Sequence, residues 1–382
     1  MLSIRDKLHS LDGLRGWAAI VVFFHHFLLA FLPKIHGLLP TDAKTDSLRE
    51  TPLFVFVNGT AAVTLFFVLS GFVLSLGLWE NKDKIIFSAL KRWPRLILLP
   101  TISVLFVCVL ANFNLFYFKE AATISQSAWM NAFGFSSNGG VLNKEFGYAL
   151  SQGTFFTFFR GDQSLNSSLW TMSIEFMGSL LVFAFVAICG RQRLQLAVSF
   201  AAIINLILFY HGGYYYSAFI FGAIISKAYI DGYFNHQVSP FFIFFLGAIS
   251  LLFLGYIEPG RGFYAFMDSH TQNYLRIYIH IICSSMILYC CINSSVVSFL
   301  MSCRLSRFLG RVSFPLYVIH VPVLFSFSAY LFVYLSDNDY QHRFITLIGL
   351  SLFTCLTIAS LLARGDEAWC RWVDKCARFI GG

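Results

Sequence analysis

Apolar residues in this chain come in blocks of membrane length, separated by short polar or glycine-containing breaks. Ten blocks stand out, at residues 14–33, 53–78, 94–118, 169–189, 195–211, 214–230, 239–257, 275–293, 312–335 and 344–363. About 20 apolar residues cross a bilayer as a helix. Backbone in hydrocarbon must also satisfy its own hydrogen bonds, which helices do. The pattern therefore predicts an all-α, polytopic transmembrane bundle of about ten spans. The fifth and sixth blocks are joined only by His211-Gly212-Gly213, a very short hairpin. No repeat period and no polar low-complexity stretch divides the chain, so one membrane domain is expected. The first block is too long for a signal peptide and lacks a small-residue cleavage site, so it is expected to stay in the protein.

Composition agrees with this reading. Hydrophobic residues make up 57% of the chain, charged residues 12%, and 45 of the 382 residues are Phe. A soluble fold would expose large patches of such surface; here the surplus faces lipid. Lys and Arg then set the orientation. With the N-terminus inside, most of the 27 basic residues fall on the cytoplasmic side, in clusters at 82–95, 304–311 and 364–378. Both termini are thus expected in the cytoplasm. The net charge of +8 reflects this bias toward an anionic leaflet rather than nucleic acid. None of the nine cysteines lies in an outward segment, so no disulfide framework is implied. No metal-ligand spacing is found either. The one long outward segment, 119–168, contains Ser137 near its middle, carries Phe155-Phe156 and Phe158-Phe159, and ends in Gly161-Asp162-Gln163-Ser164-Leu165-Asn166. Its aromatics and amides suit a sugar face; resting on lipid headgroups suits them as well.

Chemistry concentrates in five places. Leu11-Asp12-Gly13-Leu14-Arg15-Gly16 abuts a span holding His25 and His26, and ionisable groups inside a span are costly enough to suggest a site. The second span carries Gly59, Ala62, Ser70 and Gly71, small residues that admit a ligand or simply another helix. Lys91-Arg92-Trp93-Pro94-Arg95 suits phosphate groups or positive-inside anchoring. The fourth span opens with Trp170 and contains Glu175, a carboxylate that needs a proton or a partner. The ninth places Tyr317 and His320 three residues apart, on one helical face.

These blocks, in this order, resemble the acyltransferase-3 family of integral membrane acyltransferases, over about residues 8–365; residues 366–382 would form a short cytoplasmic tail. The resembling segments are LDGLRG followed by His, G-x-x-x-F-F-V-L-S-G-F, K-R-x-x-R, S-L-W-x-x-S-x-E and G-x-x-S-F-x-L-Y-x-x-H. The family pairs an Arg with a His eleven positions on, a spacing that Arg15 and His26 share; His25 is one short of it. The resemblance implies catalytic roles for His26, His25 and Glu175, with His26 as base or acyl relay. It implies donor contacts at Arg15, Arg92, Arg95, Ser70 and Gly71, and a substrate path along Tyr317, His320 and Trp170. It further implies acyl-CoA, most often acetyl-CoA, as a donor substrate rather than a tightly bound cofactor. The acceptor would be a hydroxyl of a sugar, lipid or antibiotic, a surface glycan or its lipid-linked precursor first and a lipid or small-molecule alcohol as the alternative; the partners would include membrane lipids, and the location would be a bacterial inner membrane.

Elementary geometry agrees. At 1.5 Å per residue, His26 lies roughly 15–20 Å beyond the cytoplasmic start of the first span. A polyanionic coenzyme stays at the inner basic collar while its long arm carries a thioester inward, and a neutral imidazole can take a hydroxyl proton there. The rival reading is a transporter or flippase, which also uses intramembrane His and Glu. The two related halves common in transporters are not evident.

Overall fold

The computed structural model describes residues 4–38, 47–132, 142–190, 192–234, 238–267 and 273–381. Among them there is no strand. The helices are α1 (Ile4–Phe31), α2 (Pro33–His36), α3 (Gly59–Leu76), α4 (Lys84–Leu96), α5 (Leu98–Asn112), α6 (Phe118–Ser125), α7 (Ala128–Ala132), α8 (Phe146–Ser151) and α9 (Thr157–Phe159). They continue with α10 (Trp170–Cys189), α11 (Leu194–Tyr210), α12 (Tyr214–Ile230), α13 (Pro240–Leu254), α14 (Asn273–Asn293), α15 (Ser295–Met301), α16 (Arg304–Val323), α17 (Ala329–Asp337) and α18 (Arg343–Gly381). Each of the ten apolar blocks falls on a helix. Seven helical stretches are long and apolar enough to cross a membrane: His9–Phe31, Gly59–Leu76, Lys84–Asn112, Ser167–Cys189, Tyr274–Asn293, Arg304–Asp337 and Arg343–Ala377. The remaining three blocks form the shorter helices α11 and α12, of 17 residues each, and α13, of 15.

Two close helix contacts organise the bundle. Where α1 meets α16, a side chain on Gly16 would overlap the backbone of Leu309 and Gly310, and one on Gly310 would overlap the Asp12 carbonyl. Gly13 meets the Met301 carbonyl in the same way. The glycines of the opening motif thus let two backbones touch, with Arg15 between them. At the second contact, α3 against α12, Gly71 faces the Phe219 carbonyl and Gly222 faces that of Val68.

Two segments differ from the sequence expectation, and the structure adds detail to a third. The third membrane helix starts ten residues earlier than its apolar block, because α4 and α5 are nearly continuous from Lys84. Lys91, Arg92 and Arg95 on it are paired with carboxylates of α10 and α18. Segment 119–168 is largely helical where it is described; residues 133–141, Ser137 among them, lie outside the described residues. α8 and the π-turn at Gln152–Phe156 pack against α5, and α9 packs against α10. Trp93 Nε1 donates to the Thr154 carbonyl at 3.0 Å, and the Trp93 ring meets Phe155 and Phe159 edge-on. Phe158 is fully buried, while Phe155 and Phe159 stay exposed. Finally, residues 366–381, expected as a tail, continue α18 as helix.

Proline shapes α16. Pro322 has no N–H for the Val318 carbonyl one turn back. That carbonyl instead accepts from Ser103 Oγ at 2.9 Å and Asn166 Nδ2 at 2.7 Å. A π-turn at Leu324–Ser328 follows.

Candidate active site

The basic ends of the helices surround a cavity of about 310 Å³. Arg15 enters from α1, Phe66 and Ser70 from α3, Arg92 and Arg95 from α4, Thr171 and Glu175 from α10, Arg311 and Tyr317 from α16, and Asp366 and Cys370 from α18. Its centre is an ion pair between Arg92 and Glu175. Arg92 Nε also donates to Ser179 Oγ at 2.8 Å, and Ser70 Oγ donates to Glu175 Oε1 at 2.9 Å. Burial of both charges in one place is tolerable because each holds the other and further hydrogen bonds complete the set.

The other cations are committed to different degrees. Asp374 on α18 takes Lys91 at 3.1 Å and Arg95 more loosely at 3.8 Å. Arg311 forms a two-pronged pair with Glu367. Trp369 Nε1 donates to the Pro94 carbonyl at 2.7 Å, which fixes α18 across the cavity mouth. Arg15 forms no ion pair among the described residues, and its buried Nε has no hydrogen-bond partner. Among the described residues that line the cavity, it is the arginine without an ion pair.

One turn beyond the cavity lies a cluster of histidines. Tyr317 bridges the two places: it lines the cavity, its hydroxyl is 3.0 Å from Thr171 Oγ1, and its ring lies 5.9 Å from that of His320. His320 Nε2 is 2.9 Å from His26 Nδ1, and its own Nδ1 is 3.2 Å from the Leu316 carbonyl. The His26 ring stacks on Trp129 at 4.9 Å. His25 faces away from this pair. Its Nδ1 lies 2.9 Å from the Val57 carbonyl and 3.0 Å from His36 Nε2, and its ring closes against Gly59. Burial pushes the pKa of His36, outside the spans, down to about 2, so that ring is neutral. Phe23, Phe27, Ile319 and Phe325 are buried in the apolar shell around the cluster.

The expected site residues thus divide. Arg15, Ser70, Arg92, Arg95, Glu175 and Tyr317 line one cavity. His25, His26 and His320 form the histidine cluster next to it. Gly71 does not line the cavity, being closed against Phe219. Trp170 is not among the lining residues either; it meets Tyr215 edge-on at 5.4 Å, while the next residue, Thr171, reaches the cavity. Sequence reasoning did not anticipate His36, Trp129, Asp366 or Cys370. A histidine eleven residues past His25, just after a span, was the available signal for the first; the others stand in segments read as loop or tail. Among the described residues no group of His, Cys, Asp or Glu could hold a metal ion.

An apolar helical bundle whose arginine-lined cavity leads to intramembrane histidines is the architecture expected of a membrane-embedded acyl-transfer enzyme. The chain belongs to the acyltransferase-3 family, whose Acyltransferase domain matches residues 8–363. It is similar to the O-acetyltransferase PaAT-1 of Phomopsis amygdali, with 22% identity over 417 residues, covering 94% of this chain and 82% of that protein. No solved structure matches the chain.

Proposed function

We propose that the protein transfers an acetyl group from cytoplasmic acetyl-CoA to a hydroxyl of a surface glycan or its lipid-linked precursor, with His26 as the base. The observation that carries this reading is the arginine-lined cavity, containing the unpaired Arg15, that ends one turn short of His26. Its mouth lies among the basic end of α4, the basic start of α16 and the C-terminal part of α18, the side that the positive-inside rule assigns to the cytoplasm. Coenzyme phosphates fit that mouth, and the thioester arm points past Tyr317 toward the histidines. The acceptor oxygen gives its proton to His26 Nε2 and bonds to the thioester carbonyl carbon. The C–S bond breaks, and the leaving thiolate takes the proton back. Proton transfer by a positioned base contributes typically 10²–10⁴-fold. An acetyl donor is favoured by the name of the fungal relative, and a glycan rests on the family resemblance alone.

The donor test uses purified protein in detergent with acetyl-, succinyl- and palmitoyl-CoA and candidate glycans, following free thiol. Acetyl-CoA turnover that depends on a glycan is expected. Preference for palmitoyl-CoA, or transfer only to a lipid or a small alcohol, would overturn the acceptor; uptake without turnover would point to a transporter instead.

The same reading has ten spans with both termini in the cytoplasm and residues 119–132 and 142–145 of the long segment outside, whereas residues 146–159 return along α5 to Trp93. A cysteine replacing the exposed Glu145, in a background without native reactive cysteines, should label from outside in intact cells. A reporter fused after residue 382 should read cytoplasmic. Labelling of position 145 only in broken membranes would invert the orientation and put the donor mouth on the wrong face.

A further inference from the structure

We propose that His320 is a positioning residue for His26: its hydrogen bond fixes the ring form of His26 that leaves Nε2 free to accept the proton. The inference rests on the reading of His26 as base and gives that base a partner.

Hydrogen-bond logic assigns the protons. A backbone carbonyl only accepts, so the His320 nitrogen facing the Leu316 carbonyl, Nδ1, carries hydrogen. In a neutral ring the other nitrogen, Nε2, is then an acceptor. Nε2 is the atom that lies 2.9 Å from His26 Nδ1, so Nδ1 of His26 is the donor. The lone pair of His26 therefore sits on Nε2, on the side of the ring away from His320; the Val22 carbonyl one turn back is a further backbone acceptor for this ring. Histidine bases are commonly held this way, by a group that binds one ring nitrogen and so decides the state of the other.

The fold sets the pair level. α1 and α16 touch at Gly16 and Gly310. His26 stands ten residues beyond Gly16, and His320 ten residues beyond Gly310. On helices running side by side in the same direction, equal spacing gives equal height, about 15 Å past the contact. The stack on Trp129 holds the plane of the His26 ring. His25 has a separate set of partners, Val57 and His36, and no bond to His320. The doublet is thereby resolved: one histidine is served by α16, and its neighbour is tied to the loop before α3.

The test compares His320→Leu and His320→Gln with His26→Ala in purified protein, measuring kcat, the KM for acetyl-CoA and thermal stability. The Gln side-chain carbonyl reaches about where Nε2 of the histidine lies and can accept from His26; leucine cannot. The expected result is a kcat loss of roughly 10²–10⁴-fold for His320→Leu. Its KM and melting temperature should stay near wild type, and His320→Gln should recover at least tenfold. Near wild-type kcat in His320→Leu, with His26→Ala inactive, would overturn the positioning role and leave the base standing. Parallel loss of kcat and stability in both His320 variants would also overturn it, in favour of packing. An active His26→Ala would instead remove the base itself, and the inference with it.

Discussion

Replacing His26 by alanine should reduce acyl transfer at least 10²-fold while the protein still folds. The barrier should rise by about 3–5 kcal/mol, the worth of a general base. The ring is only partly buried, and its loss leaves the surrounding Phe23, Phe27, Ile319 and Phe325 packed on one another. Its neighbour should behave in the opposite way. His25 is 7% exposed, closes on Gly59 and bonds to Val57 and His36. His25→Ala leaves His36 buried without its partner, at a cost of about 1–3 kcal/mol in stability, while part of the turnover survives. Initial rates of thiol release and melting curves in detergent separate the two. Equal loss of rate and stability in both variants would make the doublet a packing element.

The arginines of α4 should also part company. The Arg92 side chain is 17% exposed and its partner Glu175 13%, so Arg92→Ala strands a buried carboxylate. Removing one member of such a pair typically costs 3–5 kcal/mol. Stability and turnover should fall together, and Arg92→Ala with Glu175→Gln should regain much of the stability. Arg95 is more exposed, at 39%, and only loosely paired with Asp374. Arg95→Ala should raise the KM for acetyl-CoA on the order of tenfold, at the low end for a charged hydrogen bond, and leave kcat alone. Titrating donor against each variant and scanning its melting decides the matter. An Arg92→Ala protein as stable as wild type would mean the ion pair contributes nothing; an unchanged KM in Arg95→Ala would reduce Arg95 to a membrane anchor.

Much of the fold was legible because lipid enforces one pattern: where apolar residues persist for a membrane's thickness, a helix follows. What failed to show was pairing between distant segments. The charges of α4 read as a membrane edge because Glu175 and Asp374, which answer them, lie 83 and 279 residues away from Arg92 and Arg95. Segment 146–159 read as an outward loop because nothing local reveals that Thr154 meets Trp93. Tyr317 and His320 were correctly placed on one face, but three-residue spacing cannot say that His320 meets a histidine on another helix. The histidine and arginine positions themselves were visible from residue chemistry and family likeness. Their division into a cavity and a cluster was not.

The glycine contact between α1 and α16 bears on how a map of tolerated substitutions for this protein should be interpreted. Gly13, Gly16 and Gly310 hold no proton, yet any side chain there pushes α1, which carries Arg15 and His26, away from the end of α15 or from α16, which carries Arg311 and His320. In a screen scored by activity alone they will look as indispensable as the base. Scored by cellular abundance, they should separate: glycine variants vanish from the membrane, whereas histidine variants accumulate as full-length, silent protein. Intolerance within the LDGLRG stretch is therefore a record of architecture at its glycines and of chemistry at its arginine.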